Sequence, residues 1–153
     1  MLILGITGQV GTGKSTVARL FEKHGAGRIS SDEIVHELIA PSGKCYNRVV
    51  KEFGPKILNS GEINRKKLGN IVFNSTRKRR ILNGIIHPEV VREIKRRLAK
   101  MKNKQVVVVE VPLLVEAKLF DLVDKIIVVK CSKTEQKKRL LKLGFAGREI
   151  EAR

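Results

Sequence analysis

Tryptophan is absent from this 153-residue chain, tyrosine occurs once, and only five phenylalanines complete the aromatic set. The flat rings on which unpaired bases stack are therefore scarce, which argues against a binder of single-stranded nucleic acid. Cysteine occurs twice, at Cys45 and Cys131. The two lie far apart and form no C-x-x-C pair, so neither a zinc site nor a disulfide framework is indicated, and both thiols are expected to be reduced. No apolar run approaches the ~20 residues a membrane-spanning helix needs. The apolar start Met1–Ile6 has no basic segment before it, unlike a signal peptide, so a cytoplasmic location is expected. Acids are also few: 15 Asp+Glu stand against 32 Lys+Arg, a formal net charge of +17. What remains is ordinary for a folded chain. An apolar content of 42% suits one domain, and a chain of this size buries roughly two-thirds of its unfolded surface.

The positive charge is concentrated centrally. From Arg65 to Lys104 there are 14 Lys+Arg and two acids, Glu89 and Glu93. Such a stretch is either a surface that attracts polyanions, whether nucleic acid or a multiply phosphorylated small molecule, or a Lys-rich solvated face. Charge alone does not choose between them.

Leu2-Ile3-Leu4-Gly5-Ile6-Thr7 is a short apolar run suited to a strand buried on both faces. Val17, Leu20, Phe21 and His24 then recur at helical spacing from Lys14 to about His24, with Gly25 and Gly27 as stops. A weaker strand at about Gly27–Ser30, expected beside the first, leads through Ser31-Asp32 into a helix carrying Ile34, Val35, Leu38 and Ile39, ended by Pro41. Val49, Val50 and Phe53 mark a further helix, Asn59–Glu62 a turn, and Asn64 can cap a helix carrying Leu68, Ile71, Val72 and Phe73. Pro88 suits the first position of a longer helix with Val91, Ile94, Leu98 and Met101 on one face. Gln105–Val111 is β-branched almost throughout and predicts a central strand stopped by Pro112. Lys125–Val129 predicts another buried strand, and Ser132 with Glu135 forms a capping box opening a helix to about Leu143. Buried strands alternating with helices predict a parallel sheet covered on both faces, with ligands bound beyond the carboxyl ends of its strands.

One motif carries chemistry. Gly8-Gln9-Val10-Gly11-Thr12-Gly13-Lys14-Ser15 fits G-x-x-x-x-G-K-[ST] between a predicted strand and a predicted helix. A chance match in a chain of this length has a probability of roughly half a percent. In such a loop, backbone N–H groups converge on phosphate and the helix beginning near Lys14 adds the positive end of its dipole. Lys14 would reach the β- and γ-phosphates of a nucleoside triphosphate, Ser15 would ligate Mg²⁺, and Thr16 would add a contact to the α-phosphate. Asp32, after the second strand, is placed either to take a proton from an attacking hydroxyl or to cap its helix. Glu110, ending the third strand, is either a holder of Mg²⁺ through water or a solvated strand end.

The phosphate loop, Ser31-Asp32 with His36 four residues on, and Phe53-Gly54 before Ile57-Leu58 together resemble the dephospho-coenzyme A (dephospho-CoA) kinase family. The resemblance extends through Gly61-Glu62-Ile63-Asn64-Arg65-Lys66-Lys67-Leu68 with Ile71-Val72-Phe73, through Ile86-His87-Pro88, and through Val111-Pro112-Leu113-Leu114-Val115-Glu116. It ends with Gln136 and Arg139, similar to the family's Q-x-x-R signature. It implies an α/β three-layer P-loop kinase fold, a parallel sheet flanked by helices with a helical acceptor-binding insertion and a lid. The expected division is a core at about 1–32 and 105–140, an acceptor-binding part at about 33–104 and a partial lid at about 141–153. The implied reaction is ATP-dependent phosphorylation of the ribose 3′-hydroxyl of dephospho-CoA, with Mg²⁺ as cofactor and neither membrane nor nucleic acid as partner. Asp32 matches the family's proposed general base. Arg65 and His87 match its acceptor-binding part, which gives the basic stretch a specific reason. Arg139 matches an arginine that neutralises charge on the transferring phosphoryl group, or is a plain surface arginine. The family's chains continue past the position of Arg153, and Gly144-Phe145-Ala146-Gly147 is unusually apolar for a lid, with Arg148 and Arg153 as candidate substitutes for its basic residues. The alternative reading is a nucleotide-binding remnant, or a kinase of another specificity, inactive without a further segment or partner.

Overall fold

The computed structural model describes residues 1–111 and 120–144. Two compact units are present, one from Met1–Ser31 with the chain from Leu98 onward, the other Asp32–Arg97.

The first unit is built on a four-stranded parallel sheet: β1 (Leu2–Thr7), β2 (Gly27–Ser30), β5 (Val106–Glu110) and β6 (Lys125–Val128), in the order β2-β5-β1-β6. The β-branched run Val106–Val109 takes an inner position, with Val107 and Val108 fully buried. That placement corrects one expectation from sequence. β2 does not lie beside β1; β5 pairs with both, and Ile6 of β1 and Ser30 of β2 each register against Glu110. A strand apolar on both faces gains most between two neighbours, where each fully buried Val or Ile contributes about 1.5–3 kcal/mol, and β2 is left at the edge. β6 is the other edge. It was expected to be buried, yet Ile126 and Val128 are 42% and 55% exposed.

Helix α1 (Lys14–Lys23) covers the sheet through Ala18, which joins Leu4, Ile6 and Val108 in the core, with Val17 and Phe21 packed against them. The buried stripe thus runs through Lys14, Val17, Ala18 and Phe21, and Leu20 faces outward, 53% exposed, against expectation. Helix α6 (Lys133–Lys142) starts where predicted, because the Ser132 hydroxyl accepts from the Glu135 N–H at 3.2 Å.

The second unit is helical. It comprises α2 (Ser31–Ile39, whose first residue belongs to the sheet unit), α3 (Tyr46–Phe53), α4 (Arg65–Phe73) and most of α5 (Thr76–Lys100), with a two-stranded hairpin of β3 (Leu58–Asn59) and β4 (Glu62–Ile63). Ile34, Cys45, Val49, Ile57 and Ile94 are fully buried within it. Asn64 caps α4, its side-chain oxygen accepting from the Lys67 N–H at 3.0 Å. Phe73, expected on an apolar face, is 59% exposed. Burial pushes the Cys45 thiol pKa up, and its Sγ lies 3.7 Å from the Ile85 carbonyl.

The longest helix departs most from expectation. Pro88 does not open α5 but lies within its 25 residues. Ile86, Val90, Ile94 and Leu98, buried at every fourth residue, form one stripe that runs through the proline. The carbonyl deprived of its donor belongs to Gly84, an exposed residue, so water can take that bond. Burial of the stripe outweighs the local propensity to break.

The segment Pro112–Glu116 and the lid residues Phe145–Arg153 singled out from sequence lie outside the described residues. Among those described, no helix is long and apolar enough to cross a membrane.

The carboxylate of Glu93 accepts from Arg96 Nη2 at 2.6 Å and Nε at 2.7 Å and from Arg97 Nε at 2.8 Å. These bonds hold its pKa at about 2, Arg96 contributing most. A lowered carboxyl pKa stabilises the fold above the ordinary carboxyl range, and the gain is lost as pH falls from there toward 2. Glu93→Gln should cost about 1 kcal/mol at pH 7, a value reduced for the solvent exposure of Arg96, and should flatten the acid limb of a melting-temperature profile. An unchanged acid limb would contradict the assignment.

Candidate active site

The loop between β1 and α1 folds around a single carbonyl. Gln9 O accepts from the Thr12 N–H at 3.3 Å, the Thr12 hydroxyl at 2.8 Å and Lys14 Nζ at 3.4 Å. Gly8, at φ 149°, lies so close to the chain leaving β6 that a Cβ there would sit 2.4 Å from the Val129 carbonyl oxygen. No side chain fits that approach. Gly13 occupies the N-cap of α1 in the left-handed region, and the Val17 N–H donates to its carbonyl at 3.1 Å. Thr12 and Lys14 are each 8% exposed.

Ser15 follows at the start of α1, and its hydroxyl donates to Oε1 of Glu110. Glu110, 2% exposed at the end of β5, also receives Arg28 Nη2 from β2 at 3.3 Å on Oε2. The structure therefore brings together both residues proposed from sequence for a metal, and Glu110 is no solvated strand end. Arg28 was missed. A basic residue in a short edge strand looks like surface until the β2–β5 pairing places it beside Glu110. A hydroxyl and a carboxylate are the hard oxygen donors Mg²⁺ takes, and Mg²⁺ is commonly bound by one or two side chains with phosphate and water completing its shell. The donor set fits. Among the described residues no group of three or more His, Cys, Asp or Glu forms a dedicated metal cage.

Arg139, on α6, reaches back to the loop. Its Nη1 donates to the carbonyls of Thr12 at 3.2 Å and Gly11 at 3.4 Å, and its Nε to Glu135 at 2.9 Å. Its side chain, 43% exposed, is thus tied to the loop. An open cleft of about 610 Å³ lies here, lined by Gly13, Lys14, Ser15, Thr16, Arg139 and Lys142 among others.

The remaining sequence candidates belong to the helical unit. Asp32 is in the first turn of α2, two residues after Ser30. Arg65, first residue of α4, lines a recess of about 100 Å³ together with His36, Pro41 and Glu62. His87 is half-buried on α5 and is not among the residues lining that recess.

The family model described as dephospho-CoA kinase matches residues 2–153. The chain belongs to the dephospho-CoA kinase family. It is 41% identical over 155 residues to the dephospho-CoA kinase of Carboxydothermus hydrogenoformans, covering 99% of this chain and 75% of that one. Against the dephospho-CoA kinase of Halalkalibacterium halodurans it is 34% identical, covering 97% and 75%. Among solved structures, TT1252 from Thermus thermophilus superposes with a TM-score of 0.83 at 27% identity, covering 99% of this chain and 78% of that one. The dephospho-CoA kinase from Campylobacter jejuni superposes at 0.64 and 26% identity, covering 98% and 77%. The P-loop α/β fold expected for a dephospho-CoA kinase is the fold present.

In this member of the dephospho-CoA kinase family, the buried contact of Arg28 with Glu110 has a consequence for stability. Glu110→Ala removes a buried acceptor shared by the Ser15 hydroxyl and the Arg28 guanidinium, a change that costs about 1–3 kcal/mol. Urea unfolding should show this loss; a change below about 0.5 kcal/mol would mean the pair is solvated.

Proposed function

We propose that this chain transfers the γ-phosphoryl group of ATP to the ribose 3′-hydroxyl of dephospho-CoA, yielding CoA and ADP. The observation that carries the reading is the phosphate loop with Ser15 bonded to a buried Glu110, in a member of the dephospho-CoA kinase family.

The roles follow from the chemistry of the groups. Gly8, Gly11, Thr12 and Gly13 shape a loop whose N–H groups bind the β-phosphate, and Thr16 contacts the α-phosphate. Lys14 exchanges its contact with the Gln9 carbonyl for the β- and γ-phosphates, offsetting their charge. Asp32 accepts the proton of the 3′-hydroxyl as its oxygen bonds to the γ-phosphorus, while the bond from that phosphorus to the β–γ bridging oxygen breaks and ADP leaves. Arg139 steadies the charge spread over the transferring group. Ser15 would ligate Mg²⁺ and Glu110 would hold it through water, and the ion when bound would neutralise charge on the phosphate oxygens. Arg65 and His87 bind the acceptor, whose pyrophosphate matches the excess of cations from Arg65 to Lys104. Residues 1–32 and 105–140 then serve ATP, 33–104 the acceptor, and 141–153 the lid. With two soluble, phosphorylated substrates the enzyme works in the cytoplasm.

The test is ADP release by the 153-residue chain with ATP and Mg²⁺, with and without dephospho-CoA. Release should require the acceptor and fall at least about 10³-fold in Lys14→Ala. Asp32→Asn should lower kcat by about 10²-fold or more while leaving the KM for ATP within about threefold. Arg65→Ala should raise the KM for dephospho-CoA by about tenfold. Folded protein that releases no acceptor-dependent ADP would overturn the reading, and an unchanged kcat in Asp32→Asn would overturn the base assignment.

A further inference from the structure

Helix α6 meets the phosphate loop along one face, and the meeting is mostly polar. Gln136 Nε2 donates to the Val10 carbonyl at 2.8 Å and to Gln9 Oε1 at 3.2 Å. One turn on, Arg139 takes the carbonyls of Gly11 and Thr12. Three successive loop carbonyls thus receive donors from one helix. The Val10 carbonyl can only accept, so the Gln136 amide faces it with the nitrogen.

A trans peptide is planar, with C=O and N–H pointing opposite ways. The peptide whose oxygen is Val10's carries the N–H of Gly11, and the peptide whose oxygen is Thr12's carries the N–H of Gly13. Fixing those oxygens from the α6 side aims these two N–H groups away from α6. The close approach is built in. Gly11 has φ 81°, and a Cβ there would lie 3.2 Å from Leu140 Cγ and 3.4 Å from Gln136 Cγ.

We propose that Gln136 is a positioning residue of the phosphate loop: its side-chain amide clamps Val10 and Gln9 and so orients the Gly11 N–H as a donor to the nucleotide's phosphates. Gln136 touches no reacting atom, and its effect passes through the loop. This inference rests on the reading that the loop binds nucleotide, and its test therefore measures nucleotide binding apart from turnover.

Two isosteric variants separate donation from packing. Gln136→Met keeps length and bulk but has no donor, and Gln136→Glu places a carboxylate against the Val10 carbonyl, which can only accept. Calorimetric titration with ADP should show Kd raised about fivefold to tenfold in Gln136→Met and further in Gln136→Glu. Steady-state kinetics should show the KM for ATP raised to match, with kcat and the KM for dephospho-CoA each within about twofold, the pattern of lost uniform binding. Melting temperatures without nucleotide should stay within a few degrees of the parent, as for other half-exposed helix positions. ADP binding by Gln136→Met equal to that of the parent, or a loss of kcat without a change in ADP affinity, would overturn the clamp. A folded parent that bound no ADP would overturn the clamp and the nucleotide reading together; a parent that bound ADP but did not phosphorylate dephospho-CoA would overturn only the proposed reaction.

Discussion

The placement of β5 between β1 and β2 is the constraint on which the rest of the site depends. A strand of consecutive valines finds its best environment where both edges are hydrogen-bonded and both faces covered, and it carries Glu110 there at its end. On one side β1 delivers the phosphate loop and, through α1, Ser15; on the other β2 delivers Arg28. Hydrophobic burial, which has no direction, thereby sets the position of a carboxylate to within a hydrogen bond of its partners. Moving β5 by one residue would turn Glu110 to the opposite face of the sheet.

The loop shows the second constraint. Backbone donors can converge on a phosphate only if the carbonyls of the same peptides point elsewhere and are satisfied there. Gln9 accepts from within the loop, and α6 supplies donors for Val10, Gly11 and Thr12. The glycines have two tasks in this arrangement: they adopt backbone angles that side chains resist, and they allow β6 and α6 to approach without a Cβ in the way. A buried ion pair such as Arg28–Glu110 contributes little net stability compared with apolar packing.

Local chemistry was legible in the sequence wherever it is short-range. The phosphate loop, the Asn64 and Ser132 caps and the β-branched central strand depend on residues within a few positions of one another, and the structure has each where expected. Long-range pairing was not legible. Nothing near Gly27–Ser30 says that the third long strand, and not the first, will be its neighbour, so the role of Arg28 stayed hidden. Pro88 and Leu20 mislead for the converse reason: the packing of distant residues overrides a strong local signal, in one case by a buried stripe through Ile86, Val90 and Ile94, in the other by Ala18 taking the inward position. Gln136 was visible as part of a family signature, but its partners at Gln9 and Val10 lie 126 or more residues away in the chain.

The loop, Ser15 and Glu110 are proposed to make one site for a metal-bound nucleoside triphosphate. Calorimetric titration of the chain with ATP in the presence of Mg²⁺ tests it most directly. The expected result is one site per chain, weakened when Mg²⁺ is withheld and abolished in Lys14→Ala. Folded protein that takes up no ATP, or a Lys14→Ala variant that binds as the parent does, would contradict it.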